Sequence, residues 1–269
     1  MKDINCWDNS KYRSCTYAER LLTKLEQLNK QVVTPVDIDE VKKGIYYAKE
    51  CHGSQMRQSG GPYYSHPIEV AYMVAEYTAL TVPKLFRTDM IVTALLHDTI
   101  EDTELTEKMI AYIFGSKVAS QVEDLTRVKP HGKISSAETL NILFQQKKYD
   151  VALIKIFDRI HNLKTVGVKS PEKIKKIIEE TVIHFVTLSM HLKIPTVTKQ
   201  IIELCCRHLA IPHSVHHDLH RTFVDNSQPL SPIFQNEIVR MQNLCKLGTI
   251  SSLSPNDANI QLSKQLQKK

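Results

Sequence analysis

The sequence predicts an all-α protein, and three observations carry that prediction. Apolar residues recur at helical spacing, as Leu21, Leu22, Leu25 and Leu28 do. Apolar–polar alternation of the strand kind never lasts more than a few residues, and there is no internal repeat. Aromatic residues make up only 7% of the 269 and there are only 8 Gly, which suits helices better than strands and turns.

The elements follow in order. Residues 1–16 are polar and lack a helical period. Tyr17–Lys30 reads as the first helix. Thr34-Pro35 with Asp37 reads as a helix start, with a cap, a Pro at the first position and an acid in the first turn. That helix runs to about Cys51, turns Val36, Val41, Ile45 and Tyr46 inward, and ends at Gly53. A Gly- and Ser-rich loop follows. Ser65 then reads as the cap of a helix with Pro67 near its start. Pro83 opens a helix that continues through Thr103. Thr106–Phe114 and Ser116–Val128 flank Gly115, and Pro130–Lys133 is a break. Ser136–Tyr149 and Asp150–Val166 are helical, and Ser170-Pro171 starts a long helix to about Lys193, interrupted by Pro195. The tail from about Asn226 is rich in Ser, Asn, Gln and Pro and reads as a loosely packed or partly disordered appendage.

Bulk properties exclude some functions. The longest apolar runs, such as Ile91–Leu96, fall far short of the roughly 18 residues of a membrane span. Met1-Lys2-Asp3-Ile4-Asn5 lacks a signal-peptide core, so a cytoplasmic protein is expected. Cys6, Cys15, Cys51, Cys205, Cys206 and Cys245 form no CxxC pair and read as free thiols. The net charge of +6 suits an anionic ligand but is too small to argue for nucleic acid.

Three places combine ionisable residues with apolar helix. Tyr64-Ser65-His66-Pro67 lies at a helix start. His97-Asp98-Thr99-Ile100-Glu101-Asp102 follows the apolar stretch Met90–Leu96. Asp158-Arg159-Ile160-His161-Asn162 follows Val151–Phe157, an apolar run broken only by Lys155. On a continuous helix His97 and Glu101, and Asp98 and Asp102, would be i,i+4 neighbours. Burying this much acid at the end of an apolar helix is costly without a cation or hydrogen bonds. A divalent metal meets that need, and a mixed His and Asp set suits Mn²⁺, Fe²⁺ or Zn²⁺ better than Ca²⁺.

The order His66 … His97-Asp98 … Asp158 resembles the H…HD…D signature of HD phosphohydrolases. Arg57-Gln58-Ser59-Gly60-Gly61-Pro62-Tyr63-Tyr64-Ser65-His66-Pro67, Ala94–Thr103, Phe114-Gly115 and Ile154–Thr165 narrow the resemblance to the hydrolase domain of the RelA/SpoT family. It runs from about residue 35 to about 195, and more weakly to 212. It implies an HD-domain helical bundle spanning 31–195, between an N-terminal extension and helix (1–30) and a C-terminal helical extension and polar tail (196–269). It also implies one Mn²⁺ on His66, His97, Asp98 and Asp158, with Glu101 and Asp102 as the catalytic acids that activate water or relay protons. Arg57, Asn162 and Thr165 would contact the nucleotide. Arg57 suits that role because a planar guanidinium can stack on a base or grip phosphate.

The reaction so implied is the release of pyrophosphate and GDP from ppGpp. The expected partner is this small nucleotide or pppGpp, not a nucleic acid or a membrane. Two departures stand out. Gly61 replaces the usual acid before Pro-Tyr, and Gln58 replaces the frequent Lys after the Arg. The stretch 128–137 is also shorter than in many relatives. These departures keep two alternatives open: an HD phosphatase for another phosphorylated nucleotide, and an inactive remnant that binds ppGpp or a partner protein. No synthetase-like signature follows the hydrolase region.

Weaker patterns read as structural. His213, His216, His217 and His220 at helical spacing read as a solvated His-rich helix, and adjacent Cys205 and Cys206 cannot easily share one metal. Lys169, Lys173, Lys175 and Lys176 read as a solvated face. Arg159 and His161 read as support for Asp158.

Overall fold

The computed structural model describes Trp7 and residues 12–208. Cys6, Cys245, the His213–His220 group and the polar tail lie outside the described residues. The chain divides into two units, Met1–Asn162 and Leu163–Lys269.

The first unit is helical apart from one small hairpin. Its helices are α1 (Thr16–Asn29), α2 (Ile38–His52), α3 (Ser65–Thr81), α4 (Thr88–Leu96), α5 (Thr99–Asp102), α6 (Glu107–Phe114), α7 (Ser116–Leu125) and α8 (Ser136–Gln145), and it holds most of α9 (Tyr149–Lys164). Strands β1 (Val128–Lys129) and β2 (Gly132–Lys133) fill the break at Pro130.

Helix α4 is the centre. Met90–Leu96 are all buried, and α2, α3 and α7 pack around it. Gly44 leaves room for α2 against α4: a Cβ there would meet Leu95 Cδ1 at 3.0 Å. Thr93, the one polar residue in the apolar run, donates to Gln121 Oε1 on α7 at 2.9 Å. Gln121 in turn reaches Asp150 at the start of α9, which also pairs with Arg87. A buried hydroxyl without that partner would cost on the order of 1–3 kcal/mol.

Several helix ends differ from the sequence reading. Asp37, not Thr34, caps α2, accepting from the amides of Asp39 and Glu40. Val36 lies before the helix, where Asn29 bonds its N–H and C=O and holds it buried. Ser65 is inside the first turn of α3 and donates to Pro62 O instead of capping. The helix expected from Pro83 to Thr103 is a 3-10 turn (Pro83–Leu85) followed by α4 and α5, with the chain turning at His97-Asp98.

In the second unit the long helix expected after Ser170-Pro171 becomes α10 (Pro171–Glu180), a π-helical stretch (Thr181–Val186) and α11 (Thr187–His191). Ser170 caps α10, and α12 (Pro195–His208) follows. Of the four lysines expected on a solvated face, Lys173 and Lys176 are exposed and Lys169 and Lys175 are half-buried. Among the described residues Cys15, Cys51, Cys205 and Cys206 form no disulfide, and the last two are buried. Among the described residues no helix is long and apolar enough to cross a membrane.

The Gly44 contact gives a direct test. Gly44→Val should destabilise the protein by about 1–3 kcal/mol through overpacking against α4, measured by urea unfolding. An unchanged midpoint would show that α2 and α4 can separate freely.

Candidate metal centre

Three separate helices deliver the side chains. His66 comes from the first turn of α3, His97 and Asp98 from the α4–α5 junction, and Asp158 from the middle of α9. Ligand atoms of His66, His97 and Asp158 all lie within 4.8 Å of one another, and all three residues are buried. Asp98 completes the group: its Oδ1 is 3.1 Å from His97 Nε2 and its Oδ2 is 3.3 Å from His66 Nε2. Asp158 Oδ1 is 3.2 Å from His66 Nε2 and 3.7 Å from His97 Nε2.

The backbone break makes this possible. Neighbouring residues in a continuous α-helix point about 100° apart and do not face one another. Here α4 ends at Leu96, and Asp98 sits at φ −100°, ψ −7°, close to the sparsely populated bridge conformation found at many active sites. His97 and Asp98 can therefore turn toward the same point.

The donor set fits a cation. His97 Nδ1 is 2.8 Å from Ala94 O. A carbonyl only accepts, so Nδ1 carries the proton. In the neutral ring this leaves Nε2 as a bare lone pair, buried, without a hydrogen-bond partner and facing the two carboxylates. Lone pair against carboxylate is repulsive unless a proton or a metal lies between them. Burial by itself would lower the His97 pKa, but Asp98 and then Asp158 outweigh it and raise it to about 10. Burial likewise opposes ionisation of both aspartates. His97 for Asp98, and Lys155 and the imidazoles for Asp158, nevertheless hold them well below the usual carboxylate range.

Surrounding residues fix the group. His66 Nδ1 lies 2.7 Å from His161 Nδ1, so His161 supports His66, where the sequence reading had it beside Asp158. Lys155 Nζ is 3.0 Å from Asp158 Oδ2, and both side chains are buried. Asn162 Nδ2 donates to Asp158 Oδ1 at 2.6 Å, and Arg57 Nη2 donates to Asn162 Oδ1 at 2.9 Å. Arg57 also lies over the Tyr63 ring, 5.8 Å from its centroid, and His52 stacks on that ring at 4.5 Å. The Arg57 loop is closed by the Arg57 N–H donating to Gly61 O and the Gly60 N–H donating to Arg57 O. Thr165 belongs to the second unit, where it precedes the 3-10 turn Val166–Val168.

The two acids after the HD pair have different surroundings. Glu101 is ion-paired with Arg127 (2.5 Å) and Lys133 (2.6 Å), and also accepts from the Arg127 backbone N–H. Burial opposes its ionisation, but these partners hold its carboxyl below the usual range. Exposed Asp102 is 2.6 Å from the Tyr63 hydroxyl, which lies 3.2 Å from Asp98 Oδ2. Burial, the Asp98 charge and the bond to Asp102 all raise the Tyr63 pKa, so Tyr63 stays a donor.

Sequence reasoning missed Tyr63, Arg127 and Lys155 as parts of this group. Lys155 left a signal as the one charge inside an apolar run. Tyr63 and Arg127 left none.

The HD domain family model matches residues 44–194. This chain belongs to the HD domain family. As an HD protein it is 36% identical over 181 residues to the GTP pyrophosphokinase rsh of Brucella ovis, covering 64% of this chain and 23% of that protein. It is 35% identical over 178 residues to the guanosine-3′,5′-bis(diphosphate) 3′-pyrophosphohydrolase of Aquifex aeolicus, covering 65% and 25%. The chain thus spans about a quarter of the length of the curated relatives it matches. A solved structure described as a metazoan ortholog of SpoT that hydrolyses ppGpp aligns at a TM-score of 0.41 and 18% identity, covering 76% of this chain and 96% of that one. That likeness is too slight to argue from.

The His97 environment sets a pH test. Its raised pKa in the metal-free fold adds stability that is fully present below pH 6.5 and is lost as pH rises through about 10. The metal-free protein should therefore melt at steadily lower temperature from pH 6.5 to 10, and saturating Mn²⁺ should flatten or reverse that slope. Thermal unfolding with and without a chelator measures it. A level metal-free profile across that window would count against two carboxylates facing His97.

Proposed function

We propose that this chain is a Mn²⁺-dependent hydrolase that releases pyrophosphate from the 3′ position of ppGpp or pppGpp. The observation that carries this is the convergence of His66, His97, Asp98 and Asp158, joined through Asn162 to Arg57. The name of the Aquifex relative supports the same reaction. Residues 31–195 would form the hydrolase domain, with 1–30 and 196–269 as extensions. The absence of a disulfide among the described cysteines is compatible with a cytoplasmic setting.

His66, His97, Asp98 and Asp158 would hold the Mn²⁺. When bound, the ion supplies positive charge that polarises a phosphoryl oxygen and makes an attacking water more acidic. Asp102, reachable from solvent and linked to Asp98 through Tyr63, is the acid suited to taking the water's proton. Glu101 serves the reaction by holding Arg127 and Lys133 beside the group. Arg57 and Asn162 orient the nucleotide. Water attacks the phosphorus bonded to the 3′ oxygen, the P–O3′ bond breaks, and a proton is delivered to the leaving oxygen. The products are pyrophosphate and GDP from ppGpp, or pyrophosphate and GTP from pppGpp.

Purified protein with Mn²⁺ should release pyrophosphate from ppGpp. His97→Ala should lose both turnover and bound metal. Asp102→Asn should lower kcat by roughly 10²–10⁴-fold, the usual scale of a positioned acid–base group, and Glu101→Ala should lower it by releasing Arg127 and Lys133, both variants retaining metal by elemental analysis. Metal-loaded protein that leaves ppGpp intact but cleaves other phosphorylated nucleotides would overturn the substrate assignment.

A further inference from the structure

Lys155 is out of place by ordinary rules. It lies on α9 between Ile154 and Ile156, both fully buried, and is itself only 4% exposed. Lysines are almost never buried to that degree unless paired. Its partner is Asp158 Oδ2 at 3.0 Å, one helical turn away. The other oxygen of Asp158 faces His66, His97 and Asn162. The two oxygens thus have separate duties: one turned into the metal centre, one bound to a permanent cation.

Charge shows what that cation does. Asp98 and Asp158 place two negative charges in one buried group. A divalent metal would neutralise both, and Lys155 would then be a surplus positive charge one carboxylate away from it. Without the metal, Lys155 is the group's own compensation, its ammonium 3.0 Å from Asp158 Oδ2 with both side chains buried.

We infer that Lys155 is a resident counter-cation that keeps the HD centre assembled when no metal is bound, and that it loosens the metal's own hold. This rests on the metal-centre reading above, but not on the identity of the substrate. A residue that merely oriented Asp158 for the metal would act in the opposite direction, since its removal would weaken metal binding.

The test compares wild type, Lys155→Met, Asp158→Asn and the double variant as full-length proteins, each metal-free and saturated with Mn²⁺. Thermal midpoints and the Mn²⁺ dissociation constant are the readouts. Lys155→Met should lower the metal-free midpoint by on the order of 10 °C, the scale of breaking a buried pair in a domain of this size. It should lower the Mn²⁺-saturated midpoint much less, and it should bind Mn²⁺ more tightly than wild type, as linkage requires. In the Asp158→Asn background the same change should cost nothing or raise the metal-free midpoint. A Lys155→Met protein that folds only with Mn²⁺ supports the inference. Equal losses with and without Mn²⁺, weaker Mn²⁺ binding, or an undiminished loss in the Asp158→Asn background overturns it. A wild type whose midpoint ignores Mn²⁺ overturns the metal centre itself, whereas absent ppGpp turnover with normal Mn²⁺ shifts touches only the substrate assignment.

Discussion

Two ionised aspartates facing two imidazoles inside a helical core set the terms for the rest of the first unit. Moving a carboxylate out of water costs several kcal/mol even after relaxation. A unit charge about 4 Å away returns about 4 kcal/mol at the effective dielectric of a protein. One close cation therefore roughly balances one buried carboxylate. Lys155 contacts Asp158, which leaves about one negative charge of the Asp98–Asp158 pair uncompensated. Protonation of His97 supplies the difference in the metal-free fold, and a divalent ion supplies it with charge to spare.

The scaffold is arranged around that balance. Helix α4 is buried from Met90 to Leu96 because it has to carry His97 and Asp98 to the middle of the unit. It must also stop there, since only a broken helix lets adjacent residues face one centre. The Thr93–Gln121–Asp150 chain ties α4 to α7 and to the start of α9, so the helix bearing Asp158 is registered against the one bearing His97. Gly44 lets α2 close against the same helix. A ligand set from three helices keeps its geometry only if those helices cannot slide.

The sequence made the helices legible because helical periodicity is local. It made the four candidate ligands legible because they are unusual residues at the ends of apolar runs. What it hid were partnerships between residues far apart in the chain. Tyr63 joins Asp98 and Asp102 across 35 and 39 positions, and Arg127 joins Glu101 across 26. The expected i,i+4 pairing of His97 with Glu101 presumed a continuous helix, and the break at His97-Asp98 removed that premise. Thr34 and Ser65 are good caps by composition. The backbone gave the first role to Asp37 and turned the Ser65 hydroxyl back to Pro62, which depends on loop conformation and not on residue type.

The different settings of Glu101 and Asp102 divide work between neighbours that composition treats as equivalent. A carboxylate held by a guanidinium, an ammonium and a backbone amide is stabilised as the anion, which makes it a weak base. It is, however, well suited to anchoring Arg127 and Lys133 near the metal group. Those two cations outnumber Glu101, so the anchored set carries net positive charge, the right sign for a polyphosphate. The Asp102 carboxylate accepts from the Tyr63 phenol and has access to solvent, so it can exchange protons with water. Under the proposed reaction one acid would set the field for the leaving phosphates while the other moves the proton. The same separation governs Asp158, whose two oxygens answer to a metal centre on one side and a lysine on the other. A buried acid in this unit is defined less by its own chemistry than by which cation holds each of its oxygens.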